Sequence, residues 1–205
     1  AAQLAGVFDT PGFAEGVDVS GGFAFVADYS GGLRIVDVTD PSSPLEAGVF
    51  DTPDRASGVA VSGGYAYVAD YMYLRVINIS DPSHPFETGI FDGLVWACDV
   101  DLSGDYAYLA AHSNGLKVMD ISDPAHPAEV GSVYTQYALS VKVAGSCAYV
   151  ADHSEGLRVI DISDPFNPSE TAFYTGGGFA LDITLSGTTA YLANDYQGLR
   201  AIDIS

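Results

Sequence analysis

The chain of 205 residues is 48 % hydrophobic and 17 % charged, long enough for one domain with a sizeable core and too apolar for a disordered chain. Its 27 acidic and seven basic residues leave a net charge of −20, which repels phosphate backbones and anionic lipid heads and makes nucleic acid and membrane surfaces poor partners, so no nucleic acid and no membrane insertion are expected. No apolar run approaches the roughly 18 residues that cross a bilayer, the opening AAQLAG lacks the basic region of a signal peptide, and the two cysteines, Cys98 and Cys147, read as free thiols rather than a disulfide framework.

In chain order the first apolar stretches are LAGVF (4–8), EGVDVS (15–20), FAFVAD (23–28) and LRIVDV (33–38). Each is short and rich in Val, Phe and Ile, and turn residues separate them, so each reads as a β-strand. SGG (20–22) supplies the glycines of a tight hairpin. DPSSP (40–44) fixes φ twice and lets the aspartate bond the turn, which takes the chain out of the sheet. The same order then returns. FVAD at 25–28 recurs as YVAD (67–70), YLAA (108–111), YVAD (149–152) and YLAN (191–194), in steps of 42, 41, 41 and 42 residues. Eight of the ten prolines fall in four Asp-Pro loops, which makes those loops part of the repeat.

A repeat of about 41 residues with four antiparallel strands is a propeller blade, so residues 1–205 read as a single all-β domain, a five-bladed β-propeller. The chain opens on a fourth-strand word, LAGVF, and stops on a third-strand word, LRAIDI. The N-terminal strand is therefore expected to complete the last blade, close the ring and cover two sheet edges.

The words GLRIVDVTDP and GLRVIDISDP resemble the LVIVD repeat family of bacterial and archaeal proteins; all five units carry the strand motif, with small departures at Asn78 and Ala201, and four carry the Asp-Pro after it. The resemblance implies propeller-like β structure, a frequent place outside the cell or on its surface, and no established catalytic residue.

Comparing units separates scaffold from candidate site. Arg34, Arg75, Lys117, Arg158 and Arg200 share one position and are expected to pack their stems and pair with carboxylates rather than form an anion-binding ring. His84 and His126, in the Asp-Pro loops, read as solvated loop residues. The loops entering the first strand of each unit vary, yet each holds a large side chain at one place: Phe13, Arg55, Trp96, Tyr137 and Phe179. The loops between second and third strands add Tyr29, Tyr71, His112, His153 and Asp195. Both sets belong to one rim, where aromatic platforms beside hydrogen-bonding groups suit sugar rings, cations and aromatic peptides.

Three functions remain. The first is a non-catalytic propeller module, extracellular or on the cell surface and monomeric, that offers this rim to a glycan, a peptide or a protein and needs no cofactor or metal. The second is a glycan-processing hydrolase using first-strand carboxylates among Glu15, Asp18, Asp99, Asp101 and Asp182. The third is a structural spacer. Asp28, Asp70 and Asp152, next to the rim positions, are conceivable metal ligands but lack any close-spaced ligand motif. No P-loop, GxSxG, CxxC or HExxH is present.

Overall fold

The structure, a computed structural model, describes residues 2–205 and is a five-bladed β-propeller with antiparallel sheets. Blade 1 contains β1 (Gly16–Ser20), β2 (Phe23–Ala27), β3 (Leu33–Asp37) and β4 (Leu45–Phe50). Blade 2 contains β5 (Ala56–Ser62), β6 (Tyr65–Asn78) and β7 (Phe86–Ala97); β6 runs unbroken through the second- and third-strand positions. Blade 3 contains β8 (Asp99–Ser103), β9 (Tyr106–Ala110), β10 (Leu116–Asp120) and β11 (Ala128–Val133). Blade 4 contains β12 (Ser140–Ala144), β13 (Cys147–Ala151), β14 (Leu157–Asp161) and β15 (Ser169–Tyr174). Blade 5 has β16 (Asp182–Ser186), β17 (Thr189–Ala193) and β18 (Leu199–Asp203).

The core lies between blades. Alternation sends Phe25, Ala27, Leu33 and Ile35 of blade 1 onto Val59, Val68 and Ile77 of blade 2, and equivalent apolar clusters join blades 2 and 3, 3 and 4, and 4 and 5. The third-to-fourth strand pairing carries a one-residue bulge at the same place in blades 1 to 4, after Ile35, Val76, Val118 and Val159. Such a bulge bends and twists the outer strand.

The expected closure is not formed. Residues 4–8 make no ladder, and β18 pairs only with β17, so blade 5 has three strands. The N-terminal segment instead lies on blade 1, along the path that a preceding blade's fourth strand would take. Gly6 packs so tightly on the Pro41 carbonyl that a Cβ there would come within 2.4 Å of it, as one at Gly48 would of Pro82 and one at Gly89 of Pro124. The two faces that should meet are bare. Leu199 of blade 5 is 68 % exposed, whereas Leu33, Leu74, Leu116 and Leu157 are at most 1 % exposed. Val17 of blade 1 is 65 % exposed, whereas Val59, Val100, Val141 and Ile183 lie between 0 and 6 %. Apolar clusters join each pair of successive blades, and none among the described residues joins blade 5 to blade 1.

Candidate functional site: an aromatic rim over an acidic channel

The rim residues of the second-to-third strand loops share an unusual backbone. Tyr29, Tyr71, His112, His153 and Asp195 all have positive φ, from 42 to 56°, and they are the only non-glycine residues that do so among those described. For residues with a Cβ this region costs on the order of 1–3 kcal/mol, and the surroundings must hold it. Here a backbone bridge to the next blade does so. The Tyr29 amide donates to the Ala56 carbonyl at 2.9 Å, and the Tyr29 carbonyl accepts from the Ala56 amide at 3.2 Å. Tyr71 pairs with Ala97, His112 with Ala138 and His153 with Ala180 in the same way. The rim position is thus also the stitch between blades, and it aims each side chain at the loop of the neighbouring blade.

A buried polar residue just before the rim position holds the other loop. The Asp28 carboxylate accepts the Gly12 amide at 2.8 Å and the Thr10 hydroxyl at 2.5 Å. Asp152 accepts the Gln136 and Tyr137 amides at 3.2 and 2.6 Å, and the Asn194 side-chain amide donates to the Gly177 carbonyl at 2.7 Å. Asp70 is gripped by Arg75 at 2.5 Å, and burial pushes its carboxyl up against the pull of that guanidinium. Asp28 and Asp152 are therefore fasteners of loops, whereas Asp70 is held by Arg75 of its own strand, and no cluster of metal-ligating residues occurs among the described residues.

Together the stitches and fasteners weave the two predicted rings into one girdle. Phe13 meets Tyr29 edge-on at 6.0 Å, and the Arg55 guanidinium lies 5.2 Å from Tyr29 and 5.7 Å from Tyr71. Tyr71 meets Trp96 at 5.9 Å, Trp96 stacks on His112 at 4.9 Å, and His112 meets Tyr137 at 4.8 Å. Tyr137 meets His153 at 5.8 Å, and His153 stacks on Phe179 at 4.2 Å. The last link differs from expectation. Asp195 holds the left-handed position, but Tyr196, in a single 3-10 turn (Asp195–Gln197), supplies the ring that meets Phe179 at 6.4 Å. The sequence signal for it was an aromatic one place beyond the repeat position, which strict alignment of the units passes over. Exposure of the aromatic members from the loops entering the first strand runs from 38 % at Phe179 to 72 % at Phe13, so their faces remain open.

Beneath the rim the first strands of all five blades enclose a 560 Å³ cavity bordered by Trp96. A smaller hollow of 130 Å³ lies among His112, Tyr137 and His153. The channel carboxylates bind backbone. The first strand is the inner edge of its sheet, so its outward amides need partners. Asp18 accepts the Val61 amide at 2.8 Å, Asp99 the Val141 amide at 3.1 Å, and Asp101 the Val143 amide at 2.7 Å, in each case across to the next blade. Burial raises the Asp101 carboxyl against those hydrogen bonds. Asp99 and Asp182 share the Ser140 hydroxyl at 2.8 Å each, with the Lys142 ammonium 3.5 Å from Asp99. The Cys98 thiol is pushed up to about 12 by burial and the neighbouring Asp99, so it stays protonated and unreactive at neutral pH. Both cysteines are free.

The repeated cations are structural. Across the outer ladder Arg34 pairs with Glu46 at 3.5 Å, Arg75 with Glu87 at 2.6 Å, Lys117 with Glu129 at 2.7 Å and Arg158 with Glu170 at 3.4 Å, while Arg200 bonds Gln197. His84 and His126 are exposed and bond the aspartates of their own loops, Asp81 and Asp123.

The LVIVD repeat pattern matches residues 11–52, 54–93, 96–135, 136–175 and 177–205. No curated protein matches the chain. Among solved structures it is similar to the computationally designed Ika8 protein, at 9 % identity and a TM-score of 0.72, over 92 % of this chain and 57 % of that one. It is also similar to the computationally designed Ika4 protein, at 11 % identity and a TM-score of 0.63, over 77 % of this chain and 96 % of that one. The chain thus spans little more than half the length of Ika8. At such identities the likeness is one of fold.

Proposed function

Because the chain belongs to the LVIVD repeat family, we propose that it acts as a non-catalytic propeller module, exported or displayed at a cell surface, whose aromatic rim takes a glycan or an aromatic peptide segment of a protein. One observation carries this reading. The girdle from Phe13 to Tyr196 is continuous and half-open, and it stands over a cavity rather than over packed apolar bulk. Rings that served only to plug the mouth would bury their faces in what lies beneath. Offset and edge contacts within the girdle contribute about 0.5–1.5 kcal/mol per pair and hold the rings in place for a ligand, so little order is lost on binding.

Trp96 is the only tryptophan, so its fluorescence reads the rim directly. Titration with panels of oligosaccharides and aromatic peptides is expected to shift that emission for one class. Calorimetry on Trp96→Ala/Tyr137→Ala should then show binding weakened at least tenfold, with the melting temperature within a few degrees of the parent. Unchanged affinity in the double variant would remove the rim from the function.

A second reading, a glycan-processing hydrolase, retains one observation in its favour. Ser140 brings Asp99 and Asp182 together at the channel wall, and glycoside hydrolysis uses a close carboxyl pair. It predicts hydrolysis of chromogenic glycosides that disappears in Asp99→Asn and in Asp182→Asn. Asp18 and Asp101 accept neighbouring backbone amides and share no side-chain partner with a second carboxylate.

A further inference from the structure

The rim differs in depth from place to place. Between blades 3 and 4 the hollow of 130 Å³ is lined by His112, Tyr137 and His153 alone. Trp96 stacks on one face of His112 and Phe179 on one face of His153, at 4.9 and 4.2 Å, which leaves the opposite imidazole faces for the hollow. Tyr137 meets both imidazoles edge-on, at 4.8 and 5.8 Å, and is the third wall. Backbone bridges to Ala138 and Ala180 fix the two histidines, and the Asp152 carboxylate holds the Tyr137 amide. The hollow is thus formed before anything enters it.

Its size and its charge decide what fits. An apolar cavity of roughly 150 Å³ takes one benzene molecule, so a hollow of 130 Å³ takes a group of about six heavy atoms and not a pyranose ring. Among the described residues its lining holds no lysine, arginine or carboxylate, and partial burial favours the neutral His112 ring at pH 7. The surroundings are negative. The net charge is −20, and Glu15, Asp99 and Asp182 wall the cavity beneath the rim against the single ammonium of Lys142. Such a field concentrates cations, and the face of an aromatic ring attracts a cation within about 6 Å of its centre. The molecule already does this with a cation of its own. At the repeat position that Tyr137 holds between His112 and His153, Arg55 stands between Tyr29 and Tyr71, its guanidinium 5.2 and 5.7 Å from the two rings. Between blades 3 and 4 the rings are in place and the lining supplies no such cation.

We infer that this hollow binds a trimethylammonium group, the head of a small quaternary ammonium compound or of a trimethyllysine side chain. Three methyl groups fill the space and spread the charge, and they ask for no hydrogen-bond acceptor from walls that are ring faces. A bare ammonium would give up its water partners there without replacement. The inference rests on the reading of the rim as a binding surface and narrows it to one group at one place.

Titration of the intact chain with choline chloride tests it, followed by Trp96 emission and by calorimetry. The control is 3,3-dimethylbutan-1-ol, which has the same shape without the charge. Choline is expected to bind about tenfold more tightly than this isostere, or better, and to bind less tightly as salt is added. Tyr137→Phe keeps a ring and should retain choline, whereas Tyr137→Leu and His153→Asn should each weaken it about tenfold. Tyr137 is 41 % exposed, and asparagine accepts the left-handed backbone of position 153, so both variants should fold and melt near the parent. A trimethyllysine peptide, run beside its unmethylated form, separates the two sources: affinity above that of choline assigns a protein ligand, and affinity below it a small molecule. Equal affinity for choline and its isostere overturns the inference, as does failure of both choline and the methylated peptide to bind, or unchanged choline affinity in Tyr137→Leu. If an oligosaccharide or aromatic peptide still shifts Trp96 emission after such a result, the rim keeps its binding role and only the trimethylammonium assignment falls.

Discussion

An imidazole stacked on the only indole makes the rim responsive to protons. Partial burial, with the His153 charge adding to it, holds the His112 ring below the ordinary value of 6.5, so the neutral form is favoured in the folded state. The folded protein thus binds fewer protons here than the unfolded chain. The stabilising contribution is complete above pH 6.5 and is lost as pH falls through the lowered folded value. Trp96 emission should be quenched as the imidazolium forms, with a midpoint below pH 6.5, and His112→Phe should abolish that transition while keeping a ring in the stack. Repeat alignment made both rim sets legible, because a large side chain recurs at each place. It could not show that the second set sits at positive φ, because Tyr and His are not residues that announce a left-handed backbone. Nor could it separate Asp18 or Asp101 as backbone partners from Asp as acid. That distinction depends on which neighbouring amide lacks a bond, and the amide lies more than 40 positions away in the chain.

The loops and outer strands obey a logic that extends from one repeat to the next. Asp37, Asp120, Asp161 and Asp203 each accept an amide two residues on, while Asp40, Asp81 and Asp123 do the same inside the Asp-Pro loops. These bonds lower all seven carboxyls below 3.8. Their contribution is present above pH 4 or so and disappears as pH drops through the lowered values, so the melting temperature should fall steeply on the acid side of pH 4. Asn78 makes the same turn with an amide, bonding the Ser80 backbone and hydroxyl at 3.0 and 2.6 Å. Asp120→Asn is therefore expected to leave stability at pH 7 unchanged and to flatten the acid limb, whereas Asp120→Ala should cost about 1 kcal/mol at pH 7. The outer-strand glycines follow a related rule. A Cβ on Gly89 would stand 2.2 Å from the Pro124 carbonyl of the next blade, so Gly89→Ala should destabilise by about 1–3 kcal/mol in thermal melts.

In the molecule as a whole, stability is a sum over blades and the interfaces between them. Blades 2, 3 and 4 are covered on both faces, and blades 1 and 5 on one each. Amide hydrogen exchange should therefore find β9 and β10 slowest and β17 and β18 fastest. Equal protection of all five blades would mean that blade 5 is sealed against blade 1.

Blade number, strand order, turn chemistry and the division between a uniform and a variable rim were all written in the repeat, because hydrophobic alternation and proline or glycine placement act within a few residues of themselves. The pairing of each cation with a carboxylate was also readable, as a residue type kept at one strand position. Closure was not. LAGVF has the composition of a fourth strand wherever the chain puts it, but whether it meets β18 depends on the angle accumulated over four side-chain-packed interfaces. No local pattern encodes that sum, and a small change in each packing angle moves the last blade by several times as much.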